Sequence, residues 1–235
     1  MRDDRKELVF GGISHDLRSP LNSVSGILNL LNNHGDNFTK EEVIDLTRKL
    51  DKSVGDFSNL LNNLLQWATT QMGKVKYDPK ELDLEAVIAE NVNLMLSNAE
   101  RKDIDLQYEI EDDLFLVADK NMFNFILRNL ISNAIKFTEH GGKIWVKAVA
   151  TGKQVAIYVK DNGVGISKEN LSKLFNLESH FSTKGTDKET GTGLGLMLCK
   201  EFVHKCHGEI EVNSAEGQGT EFSIYFTAAV PEKNI

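Results

Sequence analysis

Three short segments of this chain carry residue types that could do chemistry: NLISNAIKFT (Asn129 to Thr138), DNGVG (Asp161 to Gly165) and GTGLGL (Gly191 to Leu196). Asn129 and Asn133 are four apart, so on a helix they share one face, and Lys136 follows one step further along. A neutral amide oxygen suits a Mg2+ ion whose other ligands are phosphate and water, and Lys136 adds a point cation for phosphate charge. Asp161 offers a carboxylate for a base edge. GTGLGL at the start of a helix would leave backbone N–H groups and a dipole end suited to phosphate. Each segment alone is weak: DNGVG could be a turn after a strand, GTGLGL could be a packing device, and neither a GxxxxGK[ST] loop nor GxGxxG spacing is present. Together they supply what an ATP site requires, with Mg2+ beside the phosphates.

Between the second and third segments runs NLESHFSTKGTDKET, rich in Ser, Thr, Lys and Gly. Loops this long and without apolar periodicity are usually lids or disordered segments. Its place between two Gly-rich segments predicts a lid over bound nucleotide, with Lys184 as a phosphate contact.

Elements of two different periods must position these groups. Ile13, Leu17, Pro20, Val24, Ile27 and Leu31 recur at alternating steps of four and three, as do Val54, Phe57, Leu61, Leu64 and Ala68. That is the spacing of a bundle seam. NHGDNFTKEE separates the runs, and Thr39 with Glu42 forms a capping-box signal for the second helix. Residues 1–72 therefore read as a helical hairpin. Two helices enclose little core, so the seams predict a homodimer, hence a four-helix bundle; a hairpin packed on the rest of its own chain is the alternative.

Gly73 and the KVKYDPKEL stretch mark a linker over 73–82 that would serve as a hinge. Over 83–235 strand and helix patterns interleave: LDLEAVIAENVNLMLSNAERK as helix, DIDLQYEI and LFLVAD as strands, NMFNFILRNLISNAIKFT as a long helix, then a KIWVKAVA/QVAIYVKD hairpin. A helix near Leu194 to Lys205 and a GEIEVNS/TEFSIYFT hairpin complete the pattern. Tight turns between strands predict an α/β sandwich with a mixed sheet. The fold class is α+β, a helical hairpin followed by that sandwich.

Composition excludes some functions. A net charge of -8 argues against nucleic-acid binding, which normally shows a basic face. No stretch approaches the roughly 20 apolar residues of a membrane span, and MRDDRKELVF lacks a signal peptide's apolar core. The chain reads as cytoplasmic, by itself or as the cytosolic part of a membrane-anchored parent. Cys199 and Cys206 have no metal spacing and read as reduced core thiols.

In order and spacing the segments resemble the N, G1, F and G2 boxes of the sensor histidine kinases, within a superfamily that includes chaperones, type II topoisomerases and MutL-type repair ATPases. The resemblance implies a Bergerat-type ATP-binding fold. It implies Asn133 as the Mg2+ ligand and Asp161 as the acceptor of the adenine amino group. Gly163 and Gly165 would let backbone approach the base. Gly191, Thr192, Gly193, Leu194 and Gly195 would lie beside the phosphates, and Thr220 would support adenine through water. Asn129, Lys136 and Phe137 complete the expected nucleotide set.

ISHDLRSPL resembles the same family's phosphoacceptor box. With Ile13 and Leu17 in the seam, His15 lies on the outward face. Neutral imidazole is a competent nucleophile near neutral pH, and Asp16 can hold the ring and take its proton as a base. ATPases of the superfamily commonly carry a Glu where Asn129 stands; an amide cannot activate water, which leaves the γ-phosphate for His15. Ser19 stands where the family usually has Thr or Asn, so weak phosphatase activity is expected. The implied function is ATP-dependent phosphorylation of His15 and transfer to an aspartate on a response regulator receiver domain, docked near Leu21 and Ser25. A superfamily ATPase and a nucleotide-switched dimeric scaffold are the alternatives.

Overall fold

The computed structural model describes residues 2–34, 37–72, 76–175, 183–189, 191 and 193–227. The chain divides into two compact units, with the break between Val75 and Lys76.

The first unit is a hairpin of α1 (Arg2–His34) and α2 (Lys40–Gln71). Pro20 lies inside α1 and has no N–H to offer the carbonyl of Asp16. The expected capping box opens α2: Thr39 Oγ1 accepts from Glu42 N at 3.2 Å, and Glu42 Oε2 accepts from Thr39 N at 2.8 Å. On α1, Leu17, Pro20, Val24, Ile27 and Leu31 are half-buried, as the spacing predicts; the side chain of Ile13 lies outside the described residues. The seam of α2 differs from expectation. Val54 and Leu61 are exposed, whereas Leu46, Leu50, Phe57, Leu60, Leu64 and Trp67 are half-buried or buried. Two apolar stripes run side by side on this helix, and periodicity alone does not say which one faces α1. The second stripe, with Leu21 and Leu28 on α1, leaves large side chains uncovered.

In the second unit, β1 (Lys80–Asp83) pairs antiparallel with β3 (Phe115–Ala118) as a small separate sheet. The last residues of the expected linker are therefore strand, and Asp78 N donates to Asp119 Oδ2 at 3.1 Å. The main sheet has the order β2-β4-β5-β7-β6, with β2 (Asp105–Ile110), β4 (Lys143–Thr151), β5 (Gln154–Asp161), β6 (Glu209–Ser214) and β7 (Thr220–Thr227). Only β2 and β4 pair in parallel; the other ladders are antiparallel, so the sheet is mixed as expected. The two predicted hairpins, β4–β5 and β6–β7, both form.

Three longer helices pack on this sheet: α3 (Leu84–Glu100), α4 (Lys120–Phe137) and α6 (Gly195–Lys205), with a single turn, α5 (Lys168–Leu171), between the last two. Asp83 caps α3 and Asp119 caps α4 through backbone N–H groups of their first turns. Along α4, Phe123, Ile126, Leu127, Leu130 and Ile131 are fully buried at helical spacing, and the helix packs on β5. That burial fixes the rotation of α4. Asn129 and Asn133, off the apolar stripe, stay half-buried at its margin.

Candidate nucleotide site

The site is built around the C-terminal end of β5. Asp161 is the last residue of that strand, only 5% exposed, and pairs in register with Thr220 at the start of β7. Its Oδ1 accepts from Gly163 N at 2.9 Å and from Thr220 N at 3.1 Å. Both bonds fall on one oxygen; among the described residues no group occupies Oδ2, which leaves it for a ligand. Burial pushes the carboxyl up to about 6, while the two backbone donors pull the other way. A carboxyl made less acidic by burial, in a group with one oxygen left open, is characteristic of a functional site.

Glycine is required where DNGVG meets α4. A Cβ on Gly163 would stand 2.2 Å from the carbonyl oxygen of Phe137, and Val164 N donates to that same oxygen at 3.0 Å. Gly165 adopts φ +68 with the carbonyl of Ala215 where a Cβ would be. The turn, the last turn of α4 and the β6–β7 connection thus lock together, with backbone exposed where side chains would otherwise intrude.

Ser214, which sequence reasoning did not single out, joins the same cluster. Its hydroxyl donates to Gly219 O at 2.7 Å and accepts from Ile166 N at 2.9 Å. Having spent its one proton, it must accept from Thr220 Oγ1 at 3.0 Å. Thr220 is thereby oriented with its lone pairs open. Gly219 was also missed: at φ +80, a Cβ there would meet the carbonyl oxygen of Asp161 at 2.0 Å.

On α4, Asn129 Nδ2 donates to Phe125 O at 3.0 Å, which turns Oδ1 toward α6; a Cβ on Gly195 would stand 2.4 Å from it. The side chain of Asn133 carries no hydrogen bond to the described residues, and the residue is half-buried. Lys136 Nζ donates to Thr183 O at 2.8 Å and lies 4.6 Å from the ring centroid of Phe137. No side chain caps α6 at Leu194, and the start of the helix is its positive dipole end. Gly193 takes φ +66 just before it, and Gly191 is half-buried; Thr192 lies outside the described residues.

The described part of the expected lid is not structureless. Residues 183–189 form a hydrogen-bonded turn: Gly185 N donates to Glu189 O and Lys188 N to Gly185 O, both at 2.9 Å. Thr186 N donates to Lys136 O at 3.0 Å, tying the turn to α4. Lys184 is exposed on it. The rest of NLESHFSTKGTDKET, residues 176–182 and 190, lies outside the described residues. A further residue with no local signal in the sequence, Lys102, is buried beneath this turn.

In the first unit the backbone of His15 and Asp16 lies within α1, with their side chains outside the described residues; Ser19 is exposed one turn on. Cys199 and Cys206 are free and buried, and burial pushes both thiols up, that of Cys206 to about 11. Among the described residues no three His, Cys, Asp or Glu side chains gather as a metal site. A divalent ion held at Asn133 would therefore draw most of its ligands from phosphate and water, which fits Mg2+. Among the described residues, no helix is long and apolar enough to cross a membrane.

Residues 5–73 match the family described as "His Kinase A (phospho-acceptor) domain". Residues 118–230 match "Histidine kinase-, DNA gyrase B-, and HSP90-like ATPase". The sensor histidine kinase GacS of Pseudomonas protegens is 30% identical over 226 residues, covering 93% of this chain and 24% of that protein. The chain spans less than half the length of such curated relatives; for sporulation kinase B of Bacillus subtilis the share is 49%. Among solved structures, full-length ShkA in complex with AMPPNP superposes with a TM-score of 0.66 at 26% identity, covering 95% of this chain and 46% of that one. The histidine kinase ThkA, solved in complex with the response regulator protein TrrA, shares the fold at a TM-score of 0.73 and 23% identity, covering 99% of this chain and 65% of that one.

Proposed function

The chain belongs to the sensor histidine kinases of two-component systems, and from that premise we propose that it phosphorylates its own His15 from ATP and passes the phosphoryl group to a response regulator. Residues 1–72 would form the dimerising phosphoacceptor hairpin, 83–235 the ATP-binding domain, and 73–82 their connection. The observation that carries the proposal is the Asp161 carboxylate. It is buried and braced on Oδ1 by Gly163 and Thr220, at the edge of a cradle that has no catalytic carboxylate where Asn129 stands.

Asp161 Oδ2 would accept the adenine amino group, with Thr220 and the backbone of Gly163 and Gly165 framing the base. Gly191, Thr192, Gly193, Leu194 and Gly195 would receive the phosphates at the start of α6, with Lys136 and Lys184 adding positive charge. Mg2+ would be held by Asn133, and when bound supplies charge neutralisation at the phosphates. An amide at Asn129 cannot deprotonate water, so hydrolysis is slow and the imidazole of His15 becomes the acceptor. Asp16 orients that ring and takes its proton as the new P–N bond forms and the bond to the ADP oxygen breaks. The uncovered stripe of Leu28, Val54, Leu61 and Leu65 supports a homodimeric four-helix bundle. The receiver domain of the regulator would dock on that bundle near Leu21 and Ser25 and accept the phosphoryl group on an aspartate. ATP as the donor supports a cytoplasmic reaction, in this chain by itself or as the cytosolic part of a membrane-anchored parent.

Incubation with γ-labelled ATP tests this. The wild-type chain should gain acid-labile, base-stable label, and His15→Ala should gain none. Strong label on His15→Ala, or ATP turnover without any labelled protein, would sink the proposal and favour an ATPase or a nucleotide-switched scaffold.

A further inference from the structure

Lys102, in the turn that follows α3, is 4% exposed. A buried ammonium is strongly unfavourable unless its donors are met. This one has four oxygen partners: Ile135 O at 2.9 Å, Lys136 O at 3.3 Å, Glu189 Oε1 at 3.2 Å and Thr186 Oγ1. The first two are carbonyls at the negative end of the α4 dipole. The other two belong to the 183–189 turn, 84 and 87 residues further along the chain. Lys102 is thus the joint between that turn and the helix carrying Asn129, Asn133 and Lys136.

The turn is shaped to receive it. Glu189 gives Oε1 to Lys102 and Oε2 to Asp187 N at 2.8 Å. The hydroxyl of Thr186 donates to Thr138 O at 2.9 Å, so the N–H of Lys102 meets its lone pair. Gly185 packs so closely that a Cβ would stand 2.3 Å from Glu189 Oε2 and 2.5 Å from Lys136 Cγ. Held this way, the turn presents Thr183 O to Lys136 Nζ.

We propose that Lys102 is a positioning residue for the nucleotide site: it clamps the 183–189 turn to the end of α4 and thereby sets where the Lys136 ammonium stands. The link to nucleotide rests on the kinase function proposed above; the clamp itself does not. Replacing Lys102 by Met keeps an unbranched apolar stem but leaves Ile135 O and Glu189 Oε1 without their donor, while Lys136 O keeps the N–H of Thr186. The turn should then release while the core stays packed.

Hydrogen exchange on the full chain reads the clamp directly, and calorimetric ATP titration reads its consequence. In Lys102→Met, amides of residues 185–188 should exchange about tenfold faster or more, with β4, β5 and β7 unchanged, and the ATP Kd should rise about tenfold. Glu189→Gln, which leaves the buried stem intact, should do the same more weakly, and Lys102→Arg should recover part of both effects. Unchanged exchange at 185–188 in both Lys102→Met and Glu189→Gln overturns the clamp, as does loosening that spreads through the strands. A released turn with unchanged ATP affinity overturns the positioning role. Failure of the wild type to bind ATP overturns the kinase function instead, and the exchange result still decides the clamp.

Discussion

Replacing Asp161 by Asn should stabilise the protein and destroy its nucleotide site. Burial raises the Asp161 carboxyl from 3.8 to about 6. At about 1.4 kcal/mol per tenfold change in proton affinity, ionising it is about 3 kcal/mol less favourable in the folded chain than in the unfolded one. Between about pH 4 and pH 6 the folded chain binds more protons than the unfolded chain, so stability falls as pH rises through that window and levels off above it. An amide never ionises and escapes this loss. Asp161→Asn should therefore be more stable than wild type by up to about 3 kcal/mol above pH 6, with the difference vanishing below about pH 4. Orientation then decides binding. Gly163 N and Thr220 N both donate to Oδ1, so the amide oxygen must sit there and its NH2 group replaces Oδ2. That NH2 would face the adenine amino group, donor against donor, which should weaken ATP binding by roughly 2–4 kcal/mol, or about 30- to 1,000-fold. In the wild type, affinity should fall about tenfold between pH 7.5 and pH 5 as Asp161 takes up its proton; the Asn variant should show no such dependence. Urea unfolding of the nucleotide-free chain across this pH range, with calorimetric ATP titration, measures both. A variant less stable than wild type at pH 7.5, a stability difference that ignores pH, or unchanged ATP affinity would refute the reasoning.

Two further substitutions probe other parts of the site. Gly163→Ala places a methyl 2.2 Å from Phe137 O, so it should break the Val164 contact, cost about 1–3 kcal/mol and abolish ATP binding; Gly152→Ala, in the distant β4–β5 turn, should leave ATP binding intact, and calorimetry separates the two. Ser19 is exposed on α1, and Ser19→Thr should speed dephosphorylation of the regulator several-fold because the added methyl narrows the hydroxyl's rotamers; regulator dephosphorylation already fast in wild type and unchanged in the variant would contradict this.

Local order carried much of the architecture. The Thr39 and Glu42 capping box, the β4–β5 and β6–β7 hairpins and the start of α6 are each written within a few consecutive residues, because caps, turns and periodicity act at short range. The candidate nucleotide segments stood out for the same reason: amides, carboxylate and glycines announce their chemistry by type and spacing. What the sequence could not determine were pairings across distance. It read Val54 and Leu61 into the α2 seam because periodicity does not choose between adjacent apolar stripes, and β1 read as linker because its partner, β3, lies more than thirty residues on. Ser214 and Gly219 matter only because β6 and β7 fold back against Asp161. Lys102 carries no signal of its own in the sequence; only the tertiary fold buries it among oxygens from α4 and the 183–189 turn. The sequence thus determined which groups could handle ATP. Only the tertiary structure decided what holds them in place, since burial and long-range hydrogen bonds depend on which distant residues the chain brings together.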